Sequence, residues 1–256
     1  MFLLGIPSIP QSNFATQLAN GIEPREVYQN GQRIGRGIEL TETVNGRKHF
    51  FSHAESATGI TEVESWSDLE NRPVSARYLV TAGKFWMTTS VEVDGKTVEM
   101  KRESSQEDLN KELTTTLPAD KVSVLAQFDP LTLLPQTATV KELKVSIIDP
   151  EVMNVADATL AKSGATEGTV QARTFDLSTS AGSSRMVISE LGKLETVQNS
   201  AGQVYKPALW NKDYVDMAAR AGIKIDKGML ANFLTQSWAQ TTQTTALPSP
   251  TRRRRG

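Results

Sequence analysis

The chain has no cysteine among its 256 residues. That absence excludes disulfides, thiolate zinc sites, iron–sulfur clusters and cysteine nucleophiles. It also argues against a small secreted module held together by disulfides. Histidine is nearly as scarce, with only His49 and His53 present. No stretch reaches the ~18–20 apolar residues that a membrane-spanning helix needs. Net charge is −1, so no whole-chain field favours nucleic acid or an acidic membrane. Arg252, Arg253, Arg254 and Arg255 gather positive charge at the end of the chain, which leaves the remainder net acidic. A four-residue basic run binds phosphate weakly, and no nucleic-acid function is expected from it. Catalytic signatures are missing as well. There is no Gly-x-Ser-x-Gly elbow, and Gly31 to Gly37 falls on a turn and a strand rather than opening a phosphate-binding helix. No fixed repeat of about 20–50 residues marks a solenoid or propeller.

What the chain does contain is hairpin chemistry. Asn30-Gly31, Asn45-Gly46 and Asp94-Gly95 each sit between alternating apolar residues. A two-residue turn that needs positive φ favours these pairs. From Arg33 to Val44, Ile34, Ile38, Leu40 and Val44 take one phase, while Arg33, Glu39, Thr41 and Thr43 take the other. Around Asp94-Gly95, Phe85, Met87, Val91 and Val93 share a face, as do Val98 and Met100. One polar and one apolar face is the pattern of an antiparallel sheet wet on one side. A second set of strands follows, at Leu143–Ile147, Thr169–Leu177, Arg185–Leu191 and a closing hairpin around Ser200-Ala201-Gly202.

Between the two meanders, residues 104–136 break the alternation and predict a helical insertion. Ser105, Glu107 and Asp108 suit a helix start, and Leu109 and Leu113 stand at i and i+4. Val122, Leu125 and Ala126 suggest a second short helix ending near Asp129-Pro130. Residues 151–162 read either as strand or as a short helix with Pro150 in its first turn. Asn211 predicts a cap for a helix over Asp213–Ala221 that stops at Gly222, with a second helix from Asp226. The expected organisation is an irregular lead-in at 1–24, an antiparallel β domain at 25–210, C-terminal helices at 211–240 and a disordered Thr/Gln/Pro/Ser-rich tail at 241–256. Met1 to Pro10, with a short apolar run and no basic segment, reads as a poor export signal. The fold class is mainly β (α+β): a curved antiparallel sheet or unclosed β-barrel with a central helical insertion and C-terminal helices.

Three segments carry a resemblance to known proteins. Glu26-Val27-Tyr28-Gln29-Asn30-Gly31-Gln32-Arg33-Ile34-Gly35 resembles an opening strand in which an aromatic, a turn glycine and Ile-Gly lead into a long strand. Asp68-Leu69-Glu70-Asn71-Arg72-Pro73-Val74 resembles a polar-Arg-Pro step before a third strand. Leu194 to Val204 resembles a closing hairpin. Together they are similar to the unclosed β-barrel of lipoprotein-carrier (LolA-like) proteins, and to the domain of unknown function preceding some bacterial transglutaminase-like domains. The resemblance implies a bacterial periplasmic or cell-envelope location and lipid carriage.

Two functional readings follow. In the first, the chain is a non-enzymatic carrier holding an apolar ligand, lipid or peptide in the concavity of the sheet. Phe85, Met87, Val91, Val93, Leu125 and Phe128 would line that site. In the second, it is a structural or assembly protein, such as a surface or virion component, using its termini for protein partners or self-association. No catalytic residue, metal or cofactor is expected. His49 and His53 lie about 13 Å apart on one face of a strand, with Glu55 beside them and no further ligand marked. They read as solvent-facing strand residues. Glu62/Glu64 and Glu107/Asp108 read as solvated acid pairs. Trp86 is out of phase with Phe85 and Met87. It is expected to be covered by a helix from 104–136 or 211–240, the alternative being a partner.

Overall fold

The structure, a computed structural model, describes residues 21–125, 141–163, 173–180, 182–188 and 194–225. The first run of strands is β1 (Gly21–Gln29), β2 (Gln32–Val44), β3 (Arg47–Ser56), β4 (Gly59–Ser67), β5 (Pro73–Ala82), β6 (Phe85–Asp94), β7 (Thr97–Ser104) and β8 (Lys111–Thr116). The second is β9 (Val122–Leu125), β10 (Glu142–Asp149), β11 (Asn154–Ser163), β12 (Arg173–Thr179), β13 (Gly182–Ile188), β14 (Leu194–Gln198) and β15 (Gln203–Pro207). All join one curved, unclosed sheet that runs from β8 through β7, β6 and so on to β1, then β15, β14 and on to β9. Neighbours are antiparallel except β9 and β10, which are parallel. The molecule is therefore two meanders joined edge to edge by β1 and β15, with Val27 opposite Tyr205.

The turns explain the meanders. Asn30 and Gly31 have φ of 51° and 77°, and Asn45 and Gly46 have 50° and 75°. Both loops join strands through two left-handed residues, the type I′ geometry that matches strand twist. The third hairpin differs by one residue from expectation. Asp94 pairs with Thr97, so the loop is Gly95-Lys96, and only Gly95 is left-handed, at φ 59°. This glycine-first arrangement belongs to type II′. The shared face survives: Val91 opposes Met100, and Val93 opposes Val98.

The helical insertion is overturned wherever the structure describes it. Residues 107–109 form a single 3₁₀ turn, and the rest of the stretch up to Leu125 contributes β8 and β9. Thr114, Thr115 and Thr116 are β-branched and favour the pleat over the helix. Leu113, matched with Leu109 on a supposed helix face, instead opposes Met100 on β7. Val122 and Val124 pair with β10. The helix alternative for 151–162 is overturned too. Asp149 accepts from the amides of Glu151 and Val152 to shape a tight turn, and β11 runs straight on from Asn154. β1 begins at Gly21, inside the expected lead-in. The rest of the lead-in, residues 126–136, the second C-terminal helix and the tail lie outside the described residues.

Next to the β9 edge the sheet is buried on both sides. On β10, Val145 and Ile147 point one way and Ser146 and Ile148 the other, and all four are buried. Val145 and Ile147 join Leu160, Phe175, Leu177, Met186 and Val197 in one core inside the second meander. Ile148, with Leu125 and Met153, packs against Ala76, Val91, Val98 and Met100 of the first meander. The free end of the second meander is thus tucked against the inner face of the first.

The second compact unit of the chain starts at Leu209 and carries helix α1 (Lys212–Arg220). The Asn211 side chain accepts from the Tyr214 amide at 3.3 Å, as an N-cap should. Asp213 lies in the first turn and Arg220 in the last, both complementing the helix dipole. Gly222, at φ 75°, ends it.

Candidate functional site: a cavity on the inner face

Small residues open a space where β2 and β3 pass the seam. The inner phase of β2 reads Gly35, Gly37, Glu39, and its partners on β3 are Ser56, Ala54 and Ser52. Gly35 accepts no substitute, since an added Cβ would stand 2.9 Å from the Glu55 carbonyl oxygen. A bulge between Val27 and Tyr28 leaves Ile34 as the extra residue on β2. Bulges re-aim side chains, and Ile34 lines the inner space although its strand-mates Ile38 and Leu40 take the outer phase. The result is a cavity of about 600 Å³ between the inner faces of β1–β5 and the hairpin β14–β15. Val27, Phe50, Val63, Leu194 and Val197 give it apolar walls.

Polar groups converge on this space from both meanders. Arg25, almost fully buried, donates from Nε to Glu39 at 2.7 Å and from Nη1 to the Leu194 carbonyl at 3.2 Å. Its Nη2 stands 3.2 Å from Glu23. Burial alone would lower its pKa, but the carboxylates of Glu39 and Glu23 outweigh that and hold the guanidinium firmly protonated. From the opposite side, Glu151 at the β10–β11 turn accepts a hydrogen bond from the Tyr78 hydroxyl. Burial raises the Glu151 pKa, and the nearby Asp149 carboxylate raises it further. Burial also raises the Tyr78 pKa, helped by Glu151 and Asp149. Tyr205 is pushed up to about 12 by burial and by the charges of Glu151 and Glu39. Both phenols therefore stay neutral donors. Arg102 fixes the turn in place: its Nη2 donates to the Pro150 carbonyl at 3.0 Å and to that of Glu151 at 2.5 Å, and its Nε to Thr89 at 3.0 Å.

No protein-family model, curated protein or solved structure matches the chain. The site is read on its geometry.

Of the residues expected to bind ligand, Val91 and Leu125 are fully buried in the core between the meanders, and Val93 packs against it. Phe85 and Met87 are half-buried on the same face of β6. Phe128 lies outside the described residues. The β6 end of this face is filled by the tucked strands. The cavity lies further along, where Gly35, Ser52 and Ala54 leave room. The sequence signal was the Gly-x-Gly-x-Glu phase of β2 facing small residues on β3. Apolar periodicity marks Ile38 and Leu40 on the other face instead.

That other face holds the histidines, which are buried rather than solvent-facing. His49 Nδ1 lies 3.0 Å from Glu42 and its Nε2 lies 3.2 Å from Glu64. His53 Nδ1 lies 2.9 Å from Glu62. The sheet brings these pairs together by cross-strand register, with His49 opposite Glu42 and His53 opposite Glu62. Glu62 and Glu64 are accordingly ion-pair partners, also of Arg77, rather than a solvated acid pair. No group of ligand side chains suited to a metal occurs among the described residues. Glu107 and Asp108 are exposed on the 3₁₀ turn. Trp86 is 42% exposed, so the expected helical cover is corrected to an open position on β6. Of the two segments expected to supply that cover, 104–136 forms a 3₁₀ turn and strands as far as Leu125, and residues 126–136 and 226–240 lie outside the described residues.

Proposed function

We propose that this chain is a non-enzymatic binding or carrier module that holds an amphipathic ligand on the inner face of its rolled sheet. The cavity of about 600 Å³ carries the reading. Ligand sites are typically concave, about 300–1,000 Å³ in volume, walled by apolar side chains and provided with a few convergent polar groups. Val27, Phe50, Val63 and Val197 supply the wall here, and Tyr78, Tyr205, Glu151 and Arg25 the polar groups. A lipid or an apolar peptide segment fits this division, and lipid carriage is what the LolA-like resemblance implies. The test is Nile red fluorescence with the purified protein, together with native mass spectrometry for a co-purifying ligand. Saturable dye binding that weakens when Ala54→Phe narrows the cavity supports the reading. No dye binding and no co-purifying ligand overturns it.

A second reading, an assembly protein, draws on a different observation. β8 ends the sheet with no strand paired to its outer edge among the described residues, and Trp86 is exposed two strands away. An open edge is a template for pairing with another chain. Light scattering that shows one monomeric species across a wide concentration range removes this reading.

A further inference from the structure

The charges around the cavity are unequal, and their inequality selects a ligand. The inner phase of β1 and β2 places Glu23 and Glu39 around Arg25, two carboxylates for one guanidinium. The facing turn adds Asp149 and Glu151. Asp149 accepts from two backbone amides and Glu151 from the Tyr78 hydroxyl, and neither forms an ion pair among the described residues. Arg102 is the cation nearest this turn, but its guanidinium is committed to the carbonyls of Pro150 and Glu151 and to Thr89. Glu55 also borders the cavity, yet its carboxylate is held by Arg36 at 3.3 Å and faces His53 at 3.5 Å. The surplus negative charge therefore sits at Glu151, beside the hydroxyls of Tyr78 and Tyr205.

We propose that the cavity selects amphiphiles with a protonated amine head, seated on Glu151 between Tyr78 and Tyr205, over those with a carboxylate or phosphate head. This rests on the proposed carrier function and names its ligand class. An ammonium in the cavity gives the Glu151 carboxylate an ion-pair partner, and a charge-assisted hydrogen bond is stronger than one between neutral groups. An anionic head meets Glu151 and Glu39 instead, while Arg25 is already satisfied. Burial is the main cause of the upward pKa displacement of both Glu151 and Asp149, and the Arg102 charge offsets it only in part. Binding of an ammonium should therefore release protons near the acid edge of the Glu151 titration.

The experiment compares dodecylamine, dodecanol and dodecanoate by isothermal titration calorimetry at neutral pH, below the concentrations at which each aggregates. The expected order is amine, then alcohol, then carboxylate, with the amine about tenfold tighter than the alcohol, in line with the ~1.5–3 kcal/mol of a hydrogen bond to a charged group. In Glu151→Gln the amine-to-alcohol ratio should fall toward one. Dodecanoate binding as tightly as dodecylamine overturns the inference and leaves the carrier reading standing. So does a ratio unchanged in Glu151→Gln. Failure of all three to bind overturns the carrier reading along with it. Circular dichroism of Glu151→Gln confirms that the variant is folded, and its exposed turn position predicts that it is.

Discussion

The His49 imidazole stacks on the Trp66 indole, ring centroids 4.1 Å apart and planes 17° from parallel. The stack holds the imidazole between Glu42 on β2 and Glu64 on β4, so one side chain ties three strands. Burial alone would lower the His49 pKa. The hydrogen bonds to Glu64 and Glu42 outweigh it, and the net displacement is upward. The Glu64 pKa is displaced downward, chiefly by its hydrogen bond to His49.

Stability should therefore peak on the acid side of neutrality. The His49 contribution is complete below the ordinary histidine pKa of about 6.5 and is lost as pH rises through its higher folded value. The Glu64 contribution is complete above the ordinary glutamate value of about 4.3 and is lost as pH falls through its lower folded value. Urea midpoints measured against pH should show a plateau between those limits and a decline of about 1 kcal/mol on the alkaline side. His49→Gln should flatten that alkaline decline. A wild-type curve that rises through pH 7 contradicts the assignment.

Among the described glycines, Gly59 has the least room for a side chain. Its φ is +153°, and an added Cβ would lie 1.9 Å from the Thr81 carbonyl oxygen. Gly59→Ala should cost on the order of 3 kcal/mol or more by urea denaturation, because backbone must move. Gly46→Ala is the control. It has φ +75° but nothing within 4 Å, and the left-handed penalty of about 1–2 kcal/mol is all that is expected.

Phe175 and Trp86 should behave oppositely on truncation. Phe175 is 1% exposed in the core of the second meander, and Phe175→Ala should lose about 3–5 kcal/mol. Trp86→Ala should change thermal stability by less than about 0.5 kcal/mol, as exposed positions do. A large loss at Trp86 would mean that its indole is covered.

Arg25→Met should destabilise by roughly 2 kcal/mol, since it leaves Glu39 and Glu23 facing each other across β1 and β2 without their cation. Adding Glu39→Gln should restore part of that loss. A double variant no more stable than the single one would show that Arg25 acts through packing alone.

Much of the fold was legible because turn chemistry is local. Asn30-Gly31 and Asn45-Gly46 specify their hairpins within four residues, and Asn211 specifies the start of α1 in the same way. Residues 104–125 mislead because Leu109 and Leu113 match a helical spacing although they do not share a helix. What decides their state is pairing with β7 and β10, partners that no short window contains. The cavity was hidden for a related reason. Apolar patterning finds filled cores such as Val91 and Val98, whereas an empty space is marked by what is missing, at Gly35, Ser52 and Ala54. The burial of His49 and His53 likewise depends on cross-strand carboxylates, not on their own neighbours in sequence.

The seam between β1 and β15 has a kinetic meaning. Arg25 faces Pro207 across it, so this pairing closes nearly the whole length of the sheet, while the antiparallel hairpins around it join neighbours in the chain. Local hairpins form early, and a contact of such long range is slow because loop-closure entropy precedes its reward. The two meanders can each zip up from their own turns and meet last at the seam. β8 and β9 follow one another in the chain but lie at opposite ends of the sheet, so the loop around Pro118-Ala119-Asp120 joins no pair of adjacent strands. A single backbone cut there should leave two pieces that reassociate through β1 and β15, a protein divisible into complementing halves.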